Sequence, residues 1–100
     1  MAHYQLAFPN ATLAREFEKR LRVLPERLQK QVKHKVNALA SNPHPGLKSF
    51  KRLSPPISYK DWTAQYRIRI GDWRVLYDVD ETRKRVWILV LRKRGKKTYK

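Results

Sequence analysis

The spacing of the apolar residues changes once along this 100-residue chain, and the change limits the folds open to it. In the first half, apolar residues recur at every third or fourth position, which is the period of an amphipathic helix. After Trp62 they recur at every second position, which is the period of a half-buried strand. A chain with this order folds as an α+β domain, with helices on one face of a largely antiparallel sheet. We expect a single domain over residues 1–100, since chains of this length rarely divide.

Two helices are predicted before the β-rich half. Asn10 is a suitable N-cap, because its side-chain oxygen can accept a hydrogen bond from an unpaired amide of the first turn. Pro25 separates the helices, since proline fits best in a first turn. Each helix carries an apolar stripe at spacings of 4, 4 and 3, formed by Leu13, Phe17, Leu21 and Leu24 in the first and by Leu28, Val32, Val36 and Leu39 in the second. The two stripes predict a helix hairpin that buries one face of each helix.

Four strands are predicted around this hairpin, in the element order β-α-α-β-β-β. The first covers residues 4–8, and the other three follow Trp62, with Gly71-Asp72 and residues 80–84 as turns. Gly71 supplies the positive φ that a two-residue hairpin turn favours. Residues 85–91 are almost all apolar, which is typical of a central strand. Residues 41–56 contain several prolines and are predicted to be irregular, with Leu47, Phe50 and Leu53 packed against the core.

The charge of the chain points to a polyanionic partner. Lys and Arg total 24 against 8 Asp and Glu, so the formal net charge is +16. The first fifty residues contribute +6 and the last fifty +10. A field of this size attracts nucleic acids or strongly acidic proteins and speeds their association.

Several classes of protein are excluded or disfavoured by composition. The chain has no Cys, which excludes a disulfide scaffold and a thiolate zinc site. Its three histidines are scattered, and its acids do not cluster as ligands, so we expect neither a metal nor a cofactor. The longest apolar run, at residues 86–91, is far too short for a membrane span. With no signal peptide visible, we expect a cytoplasmic protein.

Three arginines form the first candidate site. If Gly71-Asp72 is the turn, Arg69 lies opposite Arg74, and Arg67 follows on the same face of the hairpin. Directly opposed like charges destabilise a sheet. One interpretation is that these side chains extend into water, with Asp78 approaching Arg67 diagonally. The other is a sheet face arranged for phosphate, because guanidinium groups match phosphate oxygens in pairs.

The second candidate site is the C-terminal segment, predicted as a basic tail over residues 92–100. It contains Arg92, Lys93, Arg94, Lys96 and Lys97, followed by Tyr99. The basic residues suit RNA binding, and a tyrosine there can stack on an unpaired base. No established catalytic spacing occurs in the chain, so the residues alone indicate a small α+β domain with a cationic sheet face.

Three segments resemble the RelE/ParE toxin superfamily. They are "LKSFKRL" at residues 47–53, "YRIRIGDWRVLYDVD" at 66–80, and an apolar strand that ends in "RKRGKKTY" at 92–99. Members are toxins of type II toxin–antitoxin pairs. The resemblance implies a RelE-like fold, an acidic antitoxin as partner, and one of two activities. The RelE branch cleaves messenger RNA in the ribosomal A site without metal, through attack of the 2′-hydroxyl on the adjacent phosphate. The ParE branch poisons DNA gyrase.

The RelE pattern also implies roles for individual residues. Arg67 and Arg69 match a basic pair that helps to activate the 2′-hydroxyl, and Arg74 matches an arginine that stabilises the phosphorane. Arg94 matches the residue that protonates the leaving 5′-oxygen, and Tyr99 matches a tyrosine that stacks on a base. The tail resembles RelE more than ParE, which favours RNA over gyrase.

The chain departs from this pattern at the general base. Family members often have Lys in the basic pair, whereas an arginine keeps its proton and cannot act as a base. No His follows His44, so the alternative His base of some relatives is also missing. Lys60, Asp61 and Tyr99 remain as candidates for the base. The predicted function is a ribosome-dependent endoribonuclease, and the alternatives are a gyrase inhibitor and an inactive relative that only binds RNA or antitoxin.

Overall fold

Two helices precede four consecutive strands, and the five strands found among the described residues form one sheet. The computed structural model describes residues 3–44 and 50–93. Its elements are β1 (Gln5–Ala7), α1 (Ala11–Arg22), α2 (Glu26–Ala38), β2 (Phe50–Tyr59), β3 (Trp62–Ile70), β4 (Trp73–Asp80) and β5 (Arg85–Lys93). The strand order is β1-β5-β4-β3-β2, with β1 parallel to β5 and every other pair antiparallel. The predicted α+β class with a largely antiparallel sheet is confirmed.

The helix hairpin forms as its stripes predict. The Asn10 side chain accepts a hydrogen bond from the Leu13 amide at 2.9 Å, so the N-cap is confirmed. Helix α1 ends at Arg22, and Pro25 is the N-cap residue of α2. Both helices pack on one face of the sheet, where their buried stripe residues meet Ile68, Val75 and Leu91 from three adjacent strands. We call this the helix face.

Strand β2 corrects the sequence prediction for residues 41–56. The chain forms a strand from Phe50 to Tyr59 where an irregular segment was expected, which raises the number of strands from four to five. Proline cannot donate to a sheet ladder, but it is tolerated on an edge strand. Strand β2 is such an edge, and its pairing with β3 changes register between Arg52 and Ile57, where the prolines lie. Phe50 and Leu53 are half-buried, as expected of anchors, whereas Leu47 lies outside the described residues.

The hairpin of β3 and β4 has the predicted register. Gly71 adopts a φ of 58° in the turn, Ile70 pairs with Trp73, and Arg69 pairs with Arg74. A side chain at Gly71 would be strained, because this φ lies in the left-handed region. Strand β5 lies between β1 and β4, which explains its continuous apolar run.

The second face of the sheet, which we call the open face, is covered at one end only. There the turn-proximal half of the β2–β3 hairpin contributes Ala64 to a small apolar cluster with Leu76, Leu89 and Val90. The Trp62 and Trp87 rings pack beside this cluster, with their centroids 6.0 Å apart. At its tip the same hairpin contacts α1, where Glu16 accepts hydrogen bonds from the Tyr59 hydroxyl and the Lys60 ammonium. None of the described helices is long and apolar enough to cross a membrane.

Candidate functional site

The open end of the open face presents basic side chains from four adjacent strands. Arg69, Arg74 and Arg92 are paired neighbours on β3, β4 and β5 and form one row across the sheet. Lys51 on β2 pairs with Arg67 on β3 and begins the next row. We call these five residues the cationic surface. The cationic surface lies opposite the helix face. Residues that alternate with its members along the strands, such as Ile68 and Val75, are buried against the helices.

Apolar packing holds these like charges together. Arg69 directly opposite Arg74, and Arg74 opposite Arg92, repel one another at the short distances of cross-strand pairs. A shift of one residue in the register would relieve the repulsion, but it would also turn Ile68 and Ile70 out of the core. Both isoleucines are essentially fully buried. The burial of the helix face therefore fixes the arginine row on the open face.

The guanidinium groups are positioned for contact with an anion at the surface. Arg69 is exposed, and Arg67, Arg74 and Arg92 are half-buried. A half-buried arginine keeps its charge and has fewer conformations to lose on binding. The row therefore offers several donors in the planar fork geometry that matches phosphate oxygens.

Asp78 lies on β4 two residues beyond Leu76, on the same face as Arg74. Burial raises the pKa of its carboxyl group above the ordinary value, against the opposing effect of hydrogen bonds from the Val79 backbone and the Gln65 side chain. Its Oδ1 atom is buried without a hydrogen-bond partner.

The structure separates the residues predicted for the C-terminal segment. Arg92 and Lys93 belong to β5 and not to a tail. Lys93 pairs with Trp73 in the row of Ile70, so it lies on the side of the helix face, away from Arg92. The other predicted residues of this segment lie outside the described residues, and they are Arg94, Lys96, Lys97 and Tyr99.

Two candidates for the general base are remote from the arginine row. Lys60 and Asp61 form the tip of the β2–β3 hairpin, and Asp61 precedes Arg67 by six residues, or roughly 20 Å of extended strand. The Lys60 ammonium binds Glu16 Oε2 at 3.1 Å. Lys60 holds the pKa of the Glu16 carboxyl below its ordinary value. Neither residue lies beside the cationic surface. In the described part of the chain, no cluster of His, Asp and Glu is arranged to hold a metal ion.

Sequence reasoning missed Lys51 and a cleft beside it. The cleft has a volume of about 200 Å³, and its lining consists of Pro43, His44, Phe50, Lys51, Arg52, Tyr66 and Tyr77. Lys51 was not considered because its segment was expected to be irregular. The alternation of Phe50, Lys51 and Arg52 was the available signal, since it places one basic residue on each face of a strand.

A helix hairpin on one face of a sheet and a basic surface on the other define a small α+β domain suited to polyanions. The family model of the ParE toxin of type II toxin–antitoxin systems, parDE, matches residues 11–97. The chain therefore belongs to this toxin family, within the RelE/ParE superfamily, and the resemblance stated from the sequence is confirmed.

The solved structures similar to this chain include RelE proteins. The archaeal RelE–RelB complex from Pyrococcus horikoshii OT3 matches with a TM-score of 0.70 and 28% identity, over 96% of this chain and 99% of that chain. The toxin–antitoxin complex RelBE2 from Mycobacterium tuberculosis matches with a TM-score of 0.59 and 26% identity, over 92% and 99%. The isolated E. coli RelE toxin, at 17% identity and a TM-score of 0.53 over 95% and 88%, shares the fold alone. No curated protein sequence matches significantly. These neighbours favour the RelE-like branch.

Proposed function

We propose that this toxin is a ribosome-dependent endoribonuclease that cleaves messenger RNA in the A site. The observation that carries the proposal is the row of Arg69, Arg74 and Arg92, with Lys51 and Arg67 beside it. Cleavage by attack of a 2′-hydroxyl passes through a phosphorane with additional negative charge. Fixed guanidinium groups stabilise such a charge more than they stabilise the substrate, which is what accelerates the reaction.

We assign each residue a role in this reaction from its position in the sheet or from the resemblance. Arg74 is central in its row, with an arginine on each side, and it contacts the phosphorane oxygens. Arg67 and Arg69 orient the phosphate and lower the cost of ionising the 2′-hydroxyl. Following the resemblance, Arg94 protonates the leaving 5′-oxygen, Tyr99 stacks on a base, and Arg92, Lys96 and Lys97 bind the flanking strand. Lys93, also predicted to bind RNA, lies on the side of the helix face, away from this strand. Catalysis is mainly electrostatic, because none of the arginines can serve as the base. The proton of the 2′-hydroxyl is therefore released to solvent water as the oxygen attacks the phosphorus.

The cell regulates this activity through a cognate antitoxin. Two of the structural neighbours are complexes of RelE with RelB, which supports an antitoxin partner for this chain. A net charge of +16 indicates that the antitoxin segment bound to it is acidic. We place all of these functions in one cytoplasmic domain over residues 1–100.

A ParE-like inhibitor of DNA gyrase is the second candidate. It is favoured by the family model, which describes a ParE toxin. A gyrase inhibitor acts by binding, so its effect would not depend on the geometry of one phosphate site. The two candidates therefore differ in what a single arginine on the cationic surface contributes.

The deciding experiment is induction of the chain in cells, followed by primer extension on a translated message. The endoribonuclease proposal expects cleavage within codons that disappears when the start codon is removed. Arg74→Ala should abolish this cleavage, while Arg27→Ala, an exposed arginine on α2, should not. Growth arrest with intact message and broken DNA would support the gyrase alternative. No arrest at all would indicate a relative that only binds.

A further inference from the structure

A cleft at the edge of the sheet combines aromatic walls with basic residues. It lies beside β2 and is formed by residues distant in sequence, from the loop after α2 (Pro43 and His44) to strand β4 (Tyr77). Lys51 belongs both to this cleft and to the cationic surface, where it pairs with Arg67. The strand residues Phe50, Tyr66 and Tyr77 of the lining belong to the helix face, so the cleft opens on that side of the edge strand β2. Lys51 connects it to the cationic surface around this edge.

The aromatic rings in the cleft are already stacked. Tyr66 lies against Tyr77 with ring centroids 5.4 Å apart and planes inclined by 23°. The His44 ring meets Tyr66 edge-on at 5.0 Å. The Arg52 guanidinium lies over the Tyr66 ring, 5.9 Å from its centroid. Arg52 is exposed, so it can move aside from Tyr66 without leaving a buried group unpaired.

One hydrogen bond within the cleft and two that involve other segments hold the cleft in shape. The buried Tyr77 hydroxyl donates to the Pro43 carbonyl at 2.9 Å. His44 Nε2 pairs with Glu81 Oε2 at 2.6 Å, and Glu81 Oε1 accepts from the Tyr4 hydroxyl at 2.6 Å. Glu81 therefore ties the loop after α2 both to the β4–β5 turn and to the residue before β1. This bracing fixes the edge of His44 that faces Tyr66.

We propose that this cleft binds one nucleobase of the RNA strand that crosses the cationic surface. The base lies between the Arg52 guanidinium and the Tyr66 ring, and the adjoining phosphate contacts Lys51. Tyrosine rings and guanidinium planes are the surfaces on which unpaired bases stack. Strand β2 is two strand spacings, about 10 Å, from β4 and Arg74. Because the cleft opens on the helix-face side of β2, the RNA strand passes around this sheet edge between the bound base and the cleaved phosphate.

This inference rests on the proposed function and adds a site to it. The cationic surface recognises phosphates and treats all sequences alike, whereas a cleft that accepts a base gives the strand a fixed position. A base held in the cleft would decide which phosphate reaches the arginine row. The cleft would therefore determine where within a codon the toxin cuts.

The test measures toxin affinity for ribosomes programmed with a message whose A-site codon is 2′-O-methylated and resists cleavage. The reading frame fixes the position of each nucleotide, so single abasic substitutions can be placed across the codon and its neighbours. We expect one position to weaken binding by roughly 5- to 150-fold, the range for loss of one stacked base. In Arg52→Ala and His44→Ala the same abasic substitution should weaken binding far less. Arg27→Ala, on α2, should show the full loss.

The outcomes separate the two proposals. If wild-type toxin binds programmed ribosomes but no abasic position matters, or if Arg52→Ala leaves the loss unchanged, the cleft does not bind a base and the proposed function stands. If wild-type toxin does not bind programmed ribosomes, the proposed function fails and this inference fails with it. If Arg52→Ala weakens the antitoxin complex and not the ribosome complex, the cleft serves a protein partner and the inference is overturned.

Discussion

At the scale of single residues, the most specific prediction concerns Arg74. It lies between Arg69 and Arg92, so its guanidinium is central in the row. Loss of one preorganised donor to a developing oxyanion typically slows catalysis by about 10²- to 10³-fold. We expect Arg74→Ala to lower the rate of codon cleavage by this amount with unchanged circular dichroism. Arg74→Lys should recover only part, because an ammonium keeps the charge but lacks the planar fork. Full toxicity of Arg74→Ala would contradict the assignment.

The Asp78 carboxyl group should make the free energy of unfolding depend on pH. Burial raises the pKa of its carboxyl group in the folded protein above the ordinary value of 3.8. The folded state therefore binds the proton more tightly than the unfolded state, and stability falls as pH rises from about 4 through the raised pKa. In Asp78→Asn this dependence is absent. The free energy of unfolding of wild type minus that of Asp78→Asn, measured in urea, should decrease from pH 4 to pH 7. A difference independent of pH would refute the raised pKa.

At the scale of elements, the start of α1 can be tested directly. The Asn10 side chain accepts from the Leu13 amide, one of the donors that the first helical turn leaves unpaired. We expect Asn10→Ala to lower the free energy of unfolding by about 1 kcal/mol. Asn37→Ala is the matched control, because Asn37 is exposed on α2 and takes part in the C-terminal cap only through its backbone carbonyl, which alanine keeps. Alanine also has the higher helix propensity. Equal losses in the two variants would show that Asn10 does not act as a cap.

Local signals in the sequence were enough to predict several boundaries of the helices and strands. Asn10, Pro25 and the turn at Gly71 are local signals, and each of these element boundaries was confirmed. The Arg69–Arg74 pair followed from that turn, because a two-residue turn fixes the register of its hairpin. Strand β2 was missed because its prolines disfavour a strand everywhere except at a sheet edge, and edge position depends on the whole topology.

The candidate site likewise contains residues that the sequence could bring together and residues that it could not. Arg67, Arg69 and Arg74 belong to one hairpin, so local reasoning brought them together. Lys51 joins them through a pairing between β2 and β3, and the cleft of His44, Arg52 and Tyr77 depends on contacts between four separate segments. Contacts of this kind result from packing and long-range pairing, which leave no pattern within any one stretch of sequence.

At the scale of the whole molecule, the charge is distributed over two opposite sides. The helix hairpin, residues 11–38, has eight basic and three acidic residues, a net charge of +5. The cationic surface adds five basic residues on the other face of the sheet. A polyanion is therefore attracted to the protein from most directions, and total charge alone cannot identify the functional face. The face that contacts RNA must be identified by the phosphates it neutralises.

Salt dependence makes this distinction. Each phosphate that a basic residue neutralises on a single strand contributes about −0.7 to the slope of log affinity against log salt concentration. If all five residues of the cationic surface contact phosphates, we expect a slope of about −3.5 for a short single-stranded RNA, before any further contact is added. Arg74→Ala should reduce the magnitude of the slope by about 0.7, because it removes one direct contact. Arg27→Ala removes the same charge from the helix hairpin, where the field is screened over a Debye length, and should change the slope much less. Equal changes in both variants would mean that RNA is bound by the overall field of the protein and that the arginine row has no special part in binding.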